Sequence, residues 1–298
     1  MSSIRARLVA QMGRVLIRRR DWGPPESTAR RARRWFSTSP VHQLLRSFGI
    51  TVTPTEIDHP PGEWIVPRSP ASRTVLYLHG GGYVSCSPSN HRPITAALAR
   101  LTPARVFAPV YRLAPEFPYP AALDDAEAAY RWLMNSGVSH RDIAFAGDSA
   151  GGGLALALLL RARDRGLPLP AGAVLFSPWT DMTASGASVH DNDGKCAMFR
   201  PENITAFARC YARPDEWREA GASPLFGRLD GLPPLHIQVG DTELLLDDAK
   251  RVHHKVQSAG GESELIVYPG VFHCWQMLDG FVPEARTALQ QAATFISG

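Results

Sequence analysis

The 298-residue chain has no apolar run approaching the ~20 residues a membrane-spanning helix requires, so an integral helical membrane protein is excluded. Its four cysteines, Cys86, Cys196, Cys210 and Cys274, lie far apart, and no two form a C-x-x-C pair. Neither a zinc site nor a disulfide framework follows, and reduced thiols in a cytoplasmic protein are the expectation. The phosphate-cradling pattern G-x-x-x-x-G-K-[ST] is missing, as are internal repeats and low-complexity tracts. The N-terminus lacks the apolar core of a secretory signal, although its arginines resemble those of a mitochondrial presequence.

The composition, 44% hydrophobic and 20% charged, is that of an ordinary globular protein, long enough for one large domain or two small ones. Charge is placed unevenly. Residues 1–46 hold eleven arginines against Asp21 and Glu26, a balance of +9. With +4 for the whole chain, the remainder carries 4 − 9 = −5. Within RARLVAQMGRVLIRRR, Ile4, Leu8, Met12, Val15 and Leu16 recur at helical spacing between basic residues. The expectation is a helix packed on the body with a solvated basic face, with contact to a membrane surface left open. Nucleic acid is not an expected partner, because the rest of the chain is acidic and carries no reading motif.

From residue 74, strand-like runs (74–79, 105–112, 143–148, 172–179, 235–240 and 264–270) alternate with helical patterns near 91–101, 120–136, 150–165, 244–259 and 283–297. The Pro-rich stretches DHPPGE (58–63) and VPRSPASR (66–73) read as turns between short strands. Apolar strands separated by helices predict an α/β fold, a mostly parallel sheet covered on both faces, with its ligand site beyond the carboxyl ends of the strands. Two regions break the alternation, the first ~50 residues and the polar segment 181–222 with its helical pattern at PENITAFARCYA; both are candidates for a cap over that edge.

Two motifs carry chemistry. In IAFAGDSAGGGLALALLL (143–160) a strand runs into Gly147-Asp148-Ser149-Ala150-Gly151 and a helix follows at once. This is the G-x-S-x-G arrangement that exposes a nucleophilic serine on a sharp turn, with free N–H groups of the helix start beside it. In YLHGGGYVS (77–85) three successive glycines leave backbone N–H groups uncrowded, as an oxyanion hole requires. Gly81, Gly82 and Ala150 are the candidate donors, and His79 is read as an anchor of the loop. Folds built around such a serine place the acid next and the histidine last. His253 and His254 sit inside a helical pattern, whereas His273 follows a strand, so His273 is the candidate base.

Taken with YRLAPEFPYPAALDD (111–125), SPWTD (177–181) and the loop around His273, these motifs resemble the hormone-sensitive-lipase family of bacterial esterases, within the α/β-hydrolase fold. The resemblance spans about residues 74–298. It implies a carboxylic-ester hydrolase that needs no cofactor and no metal, with a cap formed by N-terminal helices (1–50) and an insert (181–222) on a catalytic domain made of 51–180 and 223–298. Amidase or lactonase activity is the alternative, and a non-catalytic small-ligand receptor of the same fold a more distant one. The family's acid loop commonly reads D-P-L-R-D; aligning its last Asp with Asp247 puts the acid at Glu243, with Asp241 as rival. Asp247 and Asp248 open the next helix, where carboxylates are favourable for structural reasons. The expected site is therefore Ser149, Glu243 and His273, acting on a small ester of short to medium acyl chain. A homo-oligomer is compatible with the sequence but not specified by it.

Overall fold

The structure, a computed structural model, describes residues 2–19, 23–36, 49–55 and 60–298. Residues 37–48 of the expected N-terminal cap and 58–59 of DHPPGE lie outside the described residues. The described chain begins with two helices, α1 (Ile4–Leu16) and α2 (Pro25–Phe36), followed by strands β1 (Ile50–Pro54), β2 (Gly62–Pro67) and β3 (Arg73–Leu78). Alternation then sets in: α3 (Arg92–Leu101), β4 (Ala104–Pro109), α4 (Ala121–Asn135), β5 (Ile143–Asp148), α5 (Ala150–Asp164) and β6 (Gly172–Phe176). Two helices, α6 (Ser188–Asp191) and α7 (Pro201–Tyr211), precede β7 (Leu235–Gly240), α8 (Leu246–Ser258), β8 (Ser263–Tyr268) and α9 (Pro283–Ser297).

The eight strands form one sheet in the order β1-β2-β4-β3-β5-β6-β7-β8. β2 pairs antiparallel with both β1 and β4, and all remaining neighbours are parallel. The mostly parallel α/β architecture read from the alternation is thus borne out. Successive strand residues point to opposite faces, which divides the core in two. Leu76, Leu78, Phe145, Leu175 and Ile237 meet α4, α5 and α8 on one face. Val75, Tyr77, Ala146, Val174 and Phe176 meet α3 and α9 on the other. Because β5 and β6 are buried on both sides, every residue in them is apolar, Gly or the terminal Asp148. Pro201 and Pro283 open α7 and α9, where a missing backbone N–H leaves no bond unmade.

At the carboxyl edge α2 packs on α7, and Ala29 and Ala32 join the same core as Phe207, Ala208 and Tyr211. The docking of α1 differs from the expected solvated basic face. Its buried residues are the small ones, Ala6, Ala10 and Gly13, while Ile4, Leu8, Met12, Val15 and Leu16 are exposed. Close approach accompanies the inversion: a Cβ on Gly13 would lie 3.1 Å from the Ala197 carbonyl oxygen, a tight contact that favours a small residue there. Two arginines reach back to the body, while Arg5 and Arg7 stay exposed. Arg14 donates to the Lys195 carbonyl at 2.9 Å, and Arg18 pairs with Asp193 and bonds the carbonyls of Cys196 and Phe199. Ser3 caps the helix by accepting from the Ala6 N–H and is itself bonded to Glu284 of α9. Among the described residues no helix is long and apolar enough to cross a membrane.

Candidate active site

Five parallel strands, β3, β5, β6, β7 and β8, end at one rim, and the loop that follows each contributes to the site. After β5 the backbone of Ser149 takes φ 54° and ψ −122°, a sparsely populated conformation costing about 1–3 kcal/mol. It is held from both sides. The Ser149 N–H donates to the Phe176 carbonyl at 2.8 Å, and its carbonyl accepts from Trp179 at 2.9 Å and Gly153 at 3.1 Å. The flanking glycines are sterically required. A Cβ on Gly147 would stand 2.3 Å from the Gly151 oxygen, and one on Gly151 would stand 2.0 Å from the Leu78 oxygen. This close crossing of strand and helix turns the Ser149 side chain outward, where it is partly accessible.

The loop after β8 brings His273 to that serine, with Nε2 2.8 Å from Ser149 Oγ. His273 Nδ1 lies 2.6 Å from Glu243 Oε2. A carboxylate can only accept, so Nδ1 carries the proton and Nε2 of the neutral ring is free to accept from the serine hydroxyl. Glu243 is 1% exposed, and burying its charge is offset by a full set of donors. Oε1 accepts from the Gly240 N–H at 2.6 Å and the Ser177 hydroxyl at 2.7 Å, while Oε2 faces the histidine. Asn192, just after α6, donates to the carbonyls of Asp241 (3.0 Å) and Glu243 (2.9 Å), which fixes the acid turn.

The rival Asp241 is exposed and accepts the Gly270 N–H at 2.7 Å, a turn-closing bond remote in character from the His273 pairing. Asp247 and Asp248 anchor α8 to the chain that follows β6. Asp248 accepts the N–H groups of Thr180 at 2.7 Å and Asp181 at 2.9 Å, and Asp247 accepts that of Ser188 at 2.9 Å.

Gly81 and Gly82 adopt φ 119° and φ 64°, which glycine alone reaches without strain. At Gly81 a Cβ would also meet the Ser85 oxygen at 2.2 Å. The N–H groups of Gly81, Gly82 and Ala150 have no hydrogen-bond partner among the described residues. His79 is buried, bonds the Gly80 carbonyl through Nδ1 at 2.7 Å and stacks on Tyr111. Burial, reinforced by the charge of nearby His91, lowers its pKa to about 3, so it stays neutral as a fixed part of the loop. Over the serine opens a cavity of about 590 Å³, walled by apolar side chains of α1 and α2 (Val9, Trp35), of Ile17 just after α1, of the chain between β6 and β7 (Phe199, Phe207) and of the His273 loop (Phe272). Among the described residues no cluster of three or more His, Cys, Asp or Glu is disposed to hold a metal.

Residues 75–277 match the model of a family with the α/β-hydrolase fold. The chain belongs to that family. It is 41% identical over 240 residues, 80% of each chain, to an acetyl-hydrolase of Streptomyces hygroscopicus. To an esterase of Acinetobacter venetianus it is 36% identical over 260 residues, 86% of each. A crystal structure of an esterase from the bacterial hormone-sensitive-lipase family superimposes with a TM-score of 0.89 at 35% identity, over 100% of this chain and 98% of that one. The family resemblance drawn from the motifs is borne out, and the α/β-hydrolase is an enzyme of the serine-ester-hydrolase kind.

Two side chains of this α/β-hydrolase received no role from the sequence. Ser177, first residue after β6, supplies the hydroxyl that Glu243 accepts. Asp148, buried just before the serine, accepts from Tyr77 Oη at 2.6 Å and the Gly80 N–H at 3.0 Å, and pairs with His91 Nε2 at 3.2 Å. It thereby ties the glycine loop to the serine turn. A Cβ on Gly80 would fall 2.3 Å from Asp148 Oδ2, which accounts for the first glycine of HGGG. Each residue lies beside a legible motif, yet only the contacts between elements reveal its work.

The Asp148–His91 pair has a testable pH signature. Burial acts to raise the Asp148 carboxyl, but the charge and hydrogen bond of His91 outweigh it and bring the pKa down to about 2. Burial likewise acts to lower His91, and Asp148 outweighs it, so His91 is raised. The Asp148 contribution is present above the ordinary carboxylate range and lost as pH falls towards about 2. That of His91 is complete below the ordinary imidazole pKa and lost as pH rises through its raised value. Asp148→Asn should therefore cost most between about pH 4 and 6.5. A loss of about 3 kcal/mol there lowers the melting midpoint by roughly 6–12 °C. Equal melting of variant and wild type in that window would contradict the pairing.

Proposed function

We propose that the chain hydrolyses small carboxylic esters of short to medium acyl chain by two-step acyl transfer. The observation that carries this reading is the line Glu243–His273–Ser149, with contacts of 2.6 and 2.8 Å, opening into the apolar cavity. His273 Nε2 takes the proton of Ser149 as Oγ attacks the ester carbonyl. Glu243 holds the proton on Nδ1 and stabilises the imidazolium that forms. The N–H groups of Gly81, Gly82 and Ala150 receive the oxyanion, each worth roughly 2.7–4 kcal/mol of barrier. His273 then protonates the leaving alcohol, and water attacks the acyl-enzyme along the reverse path. The unengaged N–H groups and the strained serine turn support these roles, since strained backbone and unpaired donors gather at sites built for a reacting ligand.

The names of the relatives, acetyl-hydrolase and esterase, support a small acyl group. So does a cavity of about 590 Å³ that must also receive the alcohol. The test is a p-nitrophenyl ester series from acetate to palmitate, with p-nitroacetanilide as the amide counterpart. Highest kcat/KM is expected at eight carbons or fewer, with palmitate at least about tenfold slower, since each methylene left in water forfeits ~0.8 kcal/mol. A maximum at palmitate would overturn the chain-length reading. Turnover of the amide above every ester would replace the esterase by an amidase.

A further inference from the structure

Large apolar side chains scattered singly over a protein surface are ordinary. Those of α1 are not scattered. Ile4, Leu8, Met12 and Val15 are 68%, 59%, 58% and 47% exposed and fall at spacings of four, four and three residues, one face of one helix. Beside them Phe281, 53% exposed, lies under Arg5, whose guanidinium stands 5.9 Å from the ring and donates to the Phe281 carbonyl at 3.3 Å. Met12 and Phe281 also line the cavity that holds Ser149, so the apolar band runs into its mouth. The helix is firmly docked: its small face is packed, Ser3 caps it, and Arg14 and Arg18 clamp it to residues 193–199. Its outward face is apolar by construction.

The charge around this face selects what covers it. Arg5 and Arg7 are exposed on the same helix, within the segment of residues 1–46 that carries +9 against −5 elsewhere. A second copy of the chain docked face to face would set this positive charge against itself. An anionic lipid surface complements it and also takes up the apolar row, the combination by which a basic amphipathic helix lies in a membrane interface. We propose that α1 docks this protein on anionic bilayer surfaces. Ile4, Leu8, Met12, Val15 and Phe281 enter the acyl boundary, Arg5 and Arg7 meet the headgroups, and the cavity mouth is turned to the lipid. The surface stands whether or not the hydrolytic reading does, because binding is measured without turnover.

The test is co-sedimentation of the full chain with vesicles of phosphatidylcholine alone and of phosphatidylcholine mixed with phosphatidylglycerol. Wild type is expected to bind the mixed vesicles at least ~10-fold more tightly, and less so as salt rises, at about fivefold per arginine engaged. The double variant Ile4→Ser/Leu8→Ser should lose ~10-fold or more on the mixed vesicles. Arg5→Glu/Arg7→Glu should lose the preference for them. Neither pair lines the cavity, so turnover of a soluble ester should be unchanged in both. Failure to bind either vesicle, or equal binding to both, overturns the proposal. So does a dimer in sedimentation equilibrium that Ile4→Ser/Leu8→Ser converts to monomer while vesicles are ignored, since the stripe would then be a self-interface.

Discussion

Ser149→Ala is expected to lower kcat on a p-nitrophenyl ester by about 10⁶-fold, because the proposed mechanism has no other nucleophile. The protein should remain folded. The strain at residue 149 belongs to its backbone, which Ala shares, and the lost contact is one hydrogen bond from a partly accessible hydroxyl to His273 Nε2. That bond is worth about 1 kcal/mol, so the melting midpoint should move by no more than ~4 °C. Residual hydrolysis above the uncatalysed rate is still expected, since the glycine-loop donors and the cavity remain. A second readout separates chemistry from folding: a fluorophosphonate should label wild type at one site per chain and leave Ser149→Ala unlabelled. Undiminished turnover in the variant, or labelling at another residue, would remove Ser149 from the reaction.

Much of this arrangement was legible because it rests on local rules. Strands buried on both faces are largely apolar, so β5, β6 and β7 announced themselves as runs, and the helices between the strands as periodic stretches. Ser149 and His273 could be nominated because each follows a strand whose carboxyl end lies at the same rim, whereas Glu243 was preferred to Asp241 only through the acid-loop pattern of the family the chain resembles. The opaque parts depend on contacts between distant elements. Periodicity finds the apolar stripe of α1 but not which side faces inward. That side is the one where Gly13 lies tight against the Ala197 carbonyl and Ala6 and Ala10 are buried beside it. Asp148 sits inside the most recognisable motif of the chain. Its work as a tie nevertheless needs Tyr77 on β3, Gly80 in the loop and His91 before α3, three partners that no spacing links. The sheet order at its antiparallel end, with β4 between β2 and β3, was equally beyond pattern reading.

Glu243→Gln is expected to reduce kcat by about 10⁴-fold, although the amide is nearly isosteric with the acid. The reason lies in how the carboxylate is divided. Oε1 accepts two hydrogen bonds, from the Gly240 N–H and the Ser177 hydroxyl, and Oε2 accepts one, from His273. An amide can satisfy Gly240 and Ser177 only by keeping its oxygen at the first position, which turns its NH2 towards His273 Nδ1. Two donors cannot face each other, so the ring moves its proton to Nε2. It then has no lone pair for the Ser149 hydroxyl, and the general base is lost while the fold is kept. Asp241→Asn should behave oppositely. The amide oxygen still accepts the Gly270 N–H, the residue is exposed, and kcat should stay within a factor of about two. Steady-state kinetics of the two variants side by side, with melting midpoints as a check on folding, decides between the carboxylates. A severe loss in Asp241→Asn beside a mild one in Glu243→Gln would transfer the acid's role to the exposed residue and break the line from Glu243 through His273 to the serine.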